Sequence, residues 1–296
     1  MIDGVVVLDK PQGITSFRAV ERVRRLFRGR KCGHAGTLDP LATGVLPICV
    51  GRATKIAGYL AGQDKEYDAI FRFGVETDTG DRLGKEIASA PGEYAEEAAV
   101  RKAVEALVGT WDQVPPDYSA VKVGGKRAYR LARQGVPVEL APRSVTVHEA
   151  RLLEWSRERF RILLHCSKGF YVRALSRDLG SLLRVPMAVE ELSRRRCGPF
   201  RIEESVSLAD LVDAGTKGEA GRFLLPISKA LEGFPQVRVP AEGVAAIRQG
   251  RSPAPWMSGA AIPPASVLVL LTGVGGAPVA LVGRDPSGGW KIVRGI

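Results

Sequence analysis

Residues 33–44, with the sequence GHAGTLDPLATG, set one carboxylate, Asp39, among glycines, a proline and small polar residues. The glycines at positions 33, 36 and 44 permit positive φ and close backbone approach, and Pro40 pushes Asp39 towards an extended conformation. The pattern therefore predicts a rigid loop. A carboxylate held on such a loop can act as a nucleophile or a general base. It can also form an Asx-turn, because Asp before Pro is common in turns, and the spacing alone leaves both readings open.

The segments around this loop alternate between strand-like and helix-like patterns. The apolar run at 5–8 ends at the sequence KPQG, which predicts a strand that enters a turn. Period-two alternation predicts strands at 67–73 and 160–166. Helical periodicity predicts three helices, at 95–108, 128–134 and 172–182. Strands separated by helices of irregular length, without a repeat, favour an α+β domain built around a mixed sheet.

A further helix is predicted directly after the KPQG turn, and Thr15 or Ser16 can cap it. Its apolar side is formed by Phe17, Val20, Val23 and Phe27. The opposite side carries four arginines: Arg18, Arg22, Arg25 and Arg28. These arginines are either solvated surface or, together with the basic residues just before the Asp39 loop, a track for phosphate groups.

The composition suits a globular protein with a polyanionic partner. The 296 residues are 45% apolar, which is enough for one large domain, alone or with a small one. The 43 Lys and Arg against 32 Asp and Glu give a net charge of +11, which favours nucleic acid as the partner. No apolar run approaches the roughly 20 residues of a spanning helix, and the N-terminus lacks a signal-peptide pattern. We therefore expect a cytoplasmic protein that does not associate with membranes.

Neither the cysteines nor the histidines have the spacing of metal ligands. The four cysteines are far apart, so we expect them to be reduced and mostly buried rather than part of a zinc knuckle or a disulfide framework: Cys32, Cys49, Cys166 and Cys197. The three histidines are equally scattered: His34, His148 and His165. We expect no metal site from this sequence.

The Asp39 segment, continued to Leu46, resembles the signature of the TruB-type tRNA pseudouridine synthases, in which the aspartate is catalytic. Four more segments match this family in the same order: residues 9–13 with Ser16, 65–67, 115–122 and 166–173. The resemblance is dense over residues 1–200 and weak beyond. It implies the pseudouridine synthase fold, an α+β domain whose mixed, largely antiparallel central sheet is flanked by helices.

The resemblance implies catalytic roles for three residues. Asp39 is then the nucleophile, attacking either C6 of uracil or C1′ of ribose. Arg173 is expected to pair with Asp39 and hold it ionised, although without the family it reads as an arginine on an exposed helix turn. Tyr67 is expected to stack on the uracil and is a candidate for removing the C5 proton. Alone, a tyrosine on a strand reads as a core residue.

The resemblance also implies residues that bind the substrate. Leu192 is expected to line the pocket, and without the family it reads as a core residue of a helix. His34 is expected to fill the space left by a flipped base, with a helix-end or turn histidine as the alternative. Seven basic residues are expected to make electrostatic contacts with RNA: Lys10, Arg30, Lys31, Lys122, Lys126, Arg127 and Arg130.

The activity implied is conversion of uridine-55 in the T-loop of tRNA into pseudouridine. This isomerisation needs no redox cofactor, metal or nucleotide, and the chain has neither a G-x-x-x-x-G-K-[ST] loop nor a G-x-G-x-x-G motif. We expect tRNA as the partner, no cofactor, no obligate protein partner and a monomer. Two alternatives remain: an RNA-binding chaperone that folds tRNA without chemistry, and a related synthase that works only with guide RNA and partner proteins.

Two domains are expected, a catalytic domain at 1–232 and a small module at 233–296. Beyond Pro235 the chain has short apolar runs spaced by glycines, which predict a β-rich module. In position and size it is similar to the PUA-like RNA-binding domain of the family. A β-subdomain that packs only for stability is the alternative.

Overall fold

The computed structural model describes residues 3–119, 121–132, 134–259, 261–263 and 267–296, with the backbone alone for 122, 126, 127 and 129. Within these ranges the strands are β1 (Gly4–Lys10), β2 (Cys32–His34), β3 (Thr43–Val50), β4 (Lys65–Phe73), β5 (Val75–Thr77), β6 (Glu86–Ser89), β7 (Gly109–Gln113), β8 (Lys122–Val123), β9 (Lys126–Arg127), β10 (Arg143–Trp155), β11 (Arg159–Cys166), β12 (Met187–Cys197), β13 (Phe200–Arg201), β14 (Val206–Ser207), β15 (Leu224–Leu225), β16 (Gln236–Arg238), β17 (Leu268–Thr272), β18 (Pro278–Arg284) and β19 (Trp290–Gly295). The α-helices are α1 (Ser16–Leu26), α2 (Ala57–Ala61), α3 (Glu97–Glu105), α4 (Ala128–Ala132), α5 (Val172–Leu183), α6 (Leu208–Thr216), α7 (Ile227–Ala230), α8 (Ala241–Arg248) and α9 (Ala254–Met257).

The large sheet has the strand order β14-β1-β3-β12-β4-β11-β10-β7, with β2, β13 and β15 pairing at its side. The pairs β1/β14 and β3/β12 are parallel. The other pairs along the order are antiparallel. The mixed, largely antiparallel sheet is therefore confirmed. Strand β12, which comes late in the chain, lies between β3 and β4.

One face of this sheet packs against α1, α3, α5 and α6 in a common core. Strand β4 illustrates why: its alternate residues Tyr67, Ala69, Phe71 and Phe73 are buried, and the residues between them are half-buried or exposed. Period-two patterning thus gives β4 one apolar face and one polar face. The helices cover the apolar face and leave the polar one partly open.

Three local expectations are wrong. Phe17 is 66% exposed, because in the first turn of α1 it is Ser16 that points inward and binds the Asp39 loop. Residues 189–195, which look helical without the family, belong to β12. The helices predicted at 95–108 and 128–134 correspond to α3 and α4, and both are shorter than predicted. The predicted cap of α1 is confirmed, since the Thr15 side chain accepts a hydrogen bond from the Arg18 amide.

A second, four-stranded sheet with the order β16-β17-β18-β19 forms the predicted β-rich C-terminal part. One of its faces has its own core, which includes Val237, Val269 and Val282. Leu270, Leu281 and Ile296 instead share a cluster with residues of β1 and β3. The small sheet therefore packs on the main sheet through apolar contacts. Among the helices that the structure describes, none is long and apolar enough to cross a membrane.

Candidate active site

The Asp39 loop joins β2 to β3 and is held on both sides of the aspartate. Leu38 and Leu41 are 4% and 1% exposed and anchor the loop in the core. The Ser16 hydroxyl donates to the carbonyl of Leu38 and accepts from its amide, at 2.9 and 2.8 Å. The Gly13 amide donates to the Pro40 carbonyl at 2.8 Å. The predicted rigid loop is therefore confirmed, and the half-buried Asp39 side chain lies between two fixed neighbours.

Gly36 and Gly44 have the positive φ expected of them, at +104° and +98°. A Cβ on Gly44 would lie 2.3 Å from the backbone oxygen of Arg194, so the glycine lets β3 approach β12 closely. Gly33 differs from the expectation, because it lies in strand β2.

Arg194 on β12 holds the loop from the opposite side. It is 1% exposed, and its guanidinium donates to the backbone oxygens of Val45 at 2.8 Å, Gly36 at 3.1 Å and Thr37 at 3.3 Å. Sequence reasoning missed this residue. The available signal is its spacing, because in a strand Arg194 shares a face with Leu192, two residues earlier.

Arg173, in the first turn of α5, forms the expected ion pair with Asp39. Its Nε donates to Asp39 Oδ2 at 2.8 Å, and its two terminal nitrogens donate to the carbonyls of Thr79 at 2.8 Å and Tyr118 at 2.9 Å. The Arg173 side chain is only 6% exposed, which rules out an exposed helix turn. A second carboxylate, the buried Asp81, has Oδ2 3.7 Å from the same Nε. Asp39 therefore faces a permanent, fully oriented positive charge.

These groups line a cavity of about 260 Å³. Its wall is formed by residues from the Asp39 loop, β4, the segment before β8, α5 and β12, among them Asp39, Lys65, Tyr67, Tyr118, Ser119, Phe170, Tyr171, Arg173, Leu192 and Arg194. The volume is close to the roughly 300 Å³ at the lower end of small-molecule sites, so it suits a single nucleobase. Asp39, Tyr67, Arg173 and Leu192, which the resemblance assigned to one site, meet in one cavity.

Tyr67 belongs to the buried face of β4 and is 9% exposed. Burial raises the pKa of Tyr67 to about 12, and the nearby Arg194 only partly opposes this rise. The hydroxyl is therefore protonated at neutral pH. A neutral phenol can stack and donate a hydrogen bond, and it can accept a proton only while it passes its own proton on.

The expected phosphate contact of Lys10 is wrong. Lys10 is 0% exposed, and its ammonium donates to the carbonyls of Pro11 at 2.8 Å and Ile14 at 2.9 Å. Burial lowers the pKa of Lys10 to about 8, and the charge of Asp39 opposes that shift. An ammonium enclosed by its own turn cannot reach an RNA phosphate. Lys10 instead shapes the turn between β1 and α1 that supports the Asp39 loop.

Lys65 is a second buried lysine that sequence reasoning missed as a functional residue. It is 7% exposed, lines the cavity two residues before Tyr67, and donates to the carbonyls of Ala61 and Gln63. Burial lowers its pKa. Its position follows from the alternation of β4, in which Lys65 and Tyr67 share a face.

The remaining residues expected to bind RNA are distributed as follows. Arg30, Lys31 and Arg130 are exposed, and His34 is half-buried in β2 rather than at a helix end or turn. Arg18, Arg22 and Arg25 on α1 are exposed as well. Arg28 is exposed too, but it lies beyond the end of the helix with a positive φ and is not part of the predicted arginine side of α1. The side chains of Lys122, Lys126 and Arg127 lie outside the part that the structure describes, although the backbone forms the β8/β9 hairpin. Their contacts with RNA stay predictions.

All four cysteines are free, and three of them are buried, as expected. The histidines differ from the expectation, because two of them meet Asp64 in space despite their distance in sequence.

Residues 24–172 match the family described as TruB family pseudouridylate synthase, N terminal domain. The tRNA pseudouridine synthase B of Aromatoleum aromaticum is 44% identical over 251 residues, which cover 85% of this chain and 81% of that relative. The chain belongs to the TruB family. Another TruB-family relative, the tRNA pseudouridine synthase B of Bacillus licheniformis, is 42% identical over 246 residues. These residues cover 80% of this chain and 78% of the relative's chain.

Solved structures give the same assignment of the fold. The crystal structure of a Cbf5-Nop10-Gar1 complex contains a chain with a TM-score of 0.78 and 26% identity, covering 99% of this chain and 83% of that one. The archaeal box H/ACA sRNP Nop10-Cbf5 complex gives a TM-score of 0.75 at 25% identity, covering 99% and 85%. The TruB-family chain therefore has the pseudouridine synthase fold, as expected.

Replacing Tyr67 with phenylalanine separates stacking from proton transfer. We expect turnover to fall by about 10²–10⁴-fold, because the ring remains but the hydroxyl, the candidate group for moving the C5 proton, is lost. Affinity for tRNA should stay within a few-fold of the parent. Single-turnover rates beside filter-binding titrations measure both quantities, and Tyr59→Phe, a half-buried tyrosine of α2, is the matched control. Near-parental turnover in Tyr67→Phe would restrict Tyr67 to stacking.

Proposed function

We propose that this protein isomerises uridine-55 in the T-loop of tRNA to pseudouridine, with Asp39 as the nucleophile and without a cofactor. The observation that carries the proposal is the 2.8 Å pair of Asp39 with the buried Arg173 at the wall of a cavity sized for one base. The relatives named tRNA pseudouridine synthase B support tRNA as the substrate.

The reaction breaks the N1–C1′ bond of uridine, turns the detached uracil and joins its C5 to C1′. The proton lost from C5 is matched by one gained at N1, so atoms and electrons balance within the substrate. Asp39 attacks C6 of the base or C1′ of the ribose and forms a temporary bond. Arg173 pairs with the carboxylate and aims it, Leu192 packs against the base, and Tyr67 stacks on the base and moves the C5 proton.

The uridine must leave its stack before Asp39 can reach it, at a cost of a few kcal/mol. Contacts with phosphate groups offset this cost. The net charge of +11 and the exposed basic residues of α1 and the segment after it support such contacts. We propose His34 for the space left by the base, and residues 233–296 as a PUA-like RNA-binding module joined to a catalytic domain of residues 1–232.

The test is to incubate the purified chain with an unmodified tRNA transcript, without guide RNA, other proteins or added nucleotide. One pseudouridine should form at position 55, and none should form in a transcript with cytidine there. Folding of tRNA without pseudouridine would favour the chaperone alternative. A requirement for guide RNA and partner proteins would favour the guide-dependent alternative.

Neutralising Lys122, Lys126 and Arg127 together should weaken binding of tRNA and leave maximal turnover largely unchanged. Each lost phosphate contact is expected to flatten the log-log salt dependence of binding by up to about one unit. The measurement is a salt titration of binding beside turnover at saturating tRNA. A control variant replaces three exposed residues with glutamine: Arg101 and Lys102 on α3, and Lys217, which directly follows α6. An unchanged salt slope in the first variant would remove these residues from the docking surface.

A further inference from the structure

Three side chains of metal-ligating type converge outside the cavity: Asp64, just before β4, His148 on β10 and His165 on β11. Their ligating atoms lie within 4.8 Å of one another. The distance from His148 Nε2 to Asp64 Oδ2 is 3.2 Å, and that from His165 Nε2 to the same oxygen is 3.9 Å. The reaction described above uses none of them.

The pairing of strands explains this convergence. His165 lies opposite Glu66 of β4, next to the point where Asp64 enters the strand. On its other side His165 lies opposite Glu149, and the register shifts between Val147 and Glu149, so His148 is the extra residue of a β-bulge. Bulges re-aim side chains. Here the bulge brings the His148 ring to within 4.7 Å of the His165 ring, centroid to centroid.

A cation already contacts the cluster. Arg196 Nη2 lies 2.8 Å from His165 Nε2. A guanidinium can only donate, so this nitrogen of His165 must carry its lone pair, with the ring proton on Nδ1. With its proton on Nδ1 and a lone pair on Nε2, the His165 ring is neutral in this arrangement. Neutral imidazole is the form that ligates metals.

We propose that Asp64, His148 and His165 bind a divalent transition-metal ion of the zinc class, and that Arg196 occupies the His165 nitrogen until the ion displaces it. Zinc lies about 2.0–2.2 Å from nitrogen and oxygen ligands, so its tetrahedral ligands are roughly 3.3–3.5 Å apart. The His148–Asp64 distance meets this spacing, and the His165–Asp64 distance requires a shift of about half an ångström. The side chains of His148 and Asp64 are 39% and 45% exposed, which gives the ion access.

The ion would join three strands beside the cavity without touching the reacting atoms. Asp64 directly precedes Lys65 and lies three residues before Tyr67, and His165 is followed by the turn that leads to Arg173. We therefore expect bound metal to raise the thermal unfolding temperature, because it binds the folded chain and no preformed site exists in the unfolded one. Turnover after chelation should remain that of the untreated protein.

The experiment titrates the full chain, freed of metal with a chelator, with Zn²⁺ by calorimetry and with Co²⁺ by absorption. We expect one ion per chain and a raised melting temperature. Asp64→Asn or His148→Ala should weaken binding at least tenfold. Glu149→Gln, an exposed carboxylate next to His148 on the same strand, is the matched control and should bind normally. Arg196→Gln should bind several-fold more tightly, because the competing cation is gone.

Several outcomes would overturn the proposal. These are dissociation constants in the millimolar range, equal affinity in the parent, Asp64→Asn and His148→Ala, or a thiolate-to-cobalt charge-transfer band, which would locate the metal at the cysteines. Circular dichroism of each variant checks the fold. Turnover with tRNA is measured separately, so failure of the metal site and failure of the proposed function give different results.

Discussion

Replacing Asp39 with asparagine is expected to lower turnover by at least about 10⁴-fold while the affinity for tRNA stays within a few-fold. The amide keeps the size of the side chain and loses the charge that attacks the substrate. Asp39→Glu should also be nearly inactive. Its additional methylene moves the carboxylate by about an ångström, and a loop fixed by Leu38 and Leu41 cannot compensate for it.

The measurement combines single-turnover formation of pseudouridine with equilibrium binding of tRNA. Asp112→Asn, on an exposed aspartate of β7, is the control for the chemical change alone. Turnover near the parent level in Asp39→Asn would falsify the assignment of the nucleophile. A parallel loss of affinity would instead mean that the aspartate holds the substrate in its ground state.

Replacing Arg173 should cost activity even when the charge is kept. Lysine offers one compact charge, whereas the guanidinium reaches Asp39 and the carbonyls of Thr79 and Tyr118 at once. We expect Arg173→Lys to lower turnover by roughly 10²–10³-fold, a loss comparable to that of one preorganised donor in other sites. Binding of tRNA should change far less. Single-turnover rates at saturating tRNA measure the effect.

Arg173→Ala should in addition destabilise the fold, because the carboxylate of Asp81 is 8% exposed and would lose its charged neighbour. Breaking a buried pair from one side costs about 3–5 kcal/mol in general. Adding Asp81→Asn to Arg173→Ala should restore much of the stability in urea unfolding but none of the turnover. If the second substitution restored neither, Asp81 would not depend on Arg173 for its charge balance.

The parts of the site that were predictable lie in contiguous motifs. The glycines and the proline predict the Asp39 loop. Its rigidity follows from the backbone conformations that these residues favour. The pairing of Asp39 with Arg173 came from the family resemblance. The role assigned to Tyr67 has the same origin and stays a prediction, although its burial agrees with the alternation of β4.

The residues whose positions were missed are buried, charged side chains that donate hydrogen bonds to backbone oxygens. Arg194 and Lys65 were given no role and Lys10 was predicted to contact RNA, because cations are seldom fully buried. Their interior positions depend on carbonyls that only the folded loop presents. The cluster around Asp64 was missed for a related reason. Its members become neighbours through the register of β4, β10 and β11, which spacing along the chain does not reveal.

The position of β12 has a consequence for how the protein is made. Its parallel partner β3 and antiparallel partner β4 leave the ribosome long before it. The first two residues of β3 and one whole edge of β4 lack their partner until Met187–Cys197 emerges. Arg194, which secures the Asp39 loop, arrives with the same strand. A nascent chain that stops before residue 187 should therefore expose an aggregation-prone edge on β4 and hold the Asp39 loop without the three hydrogen bonds of Arg194. Release of such a chain from stalled ribosomes, followed by protease digestion, should show cleavage within residues 35–42 that the full chain resists.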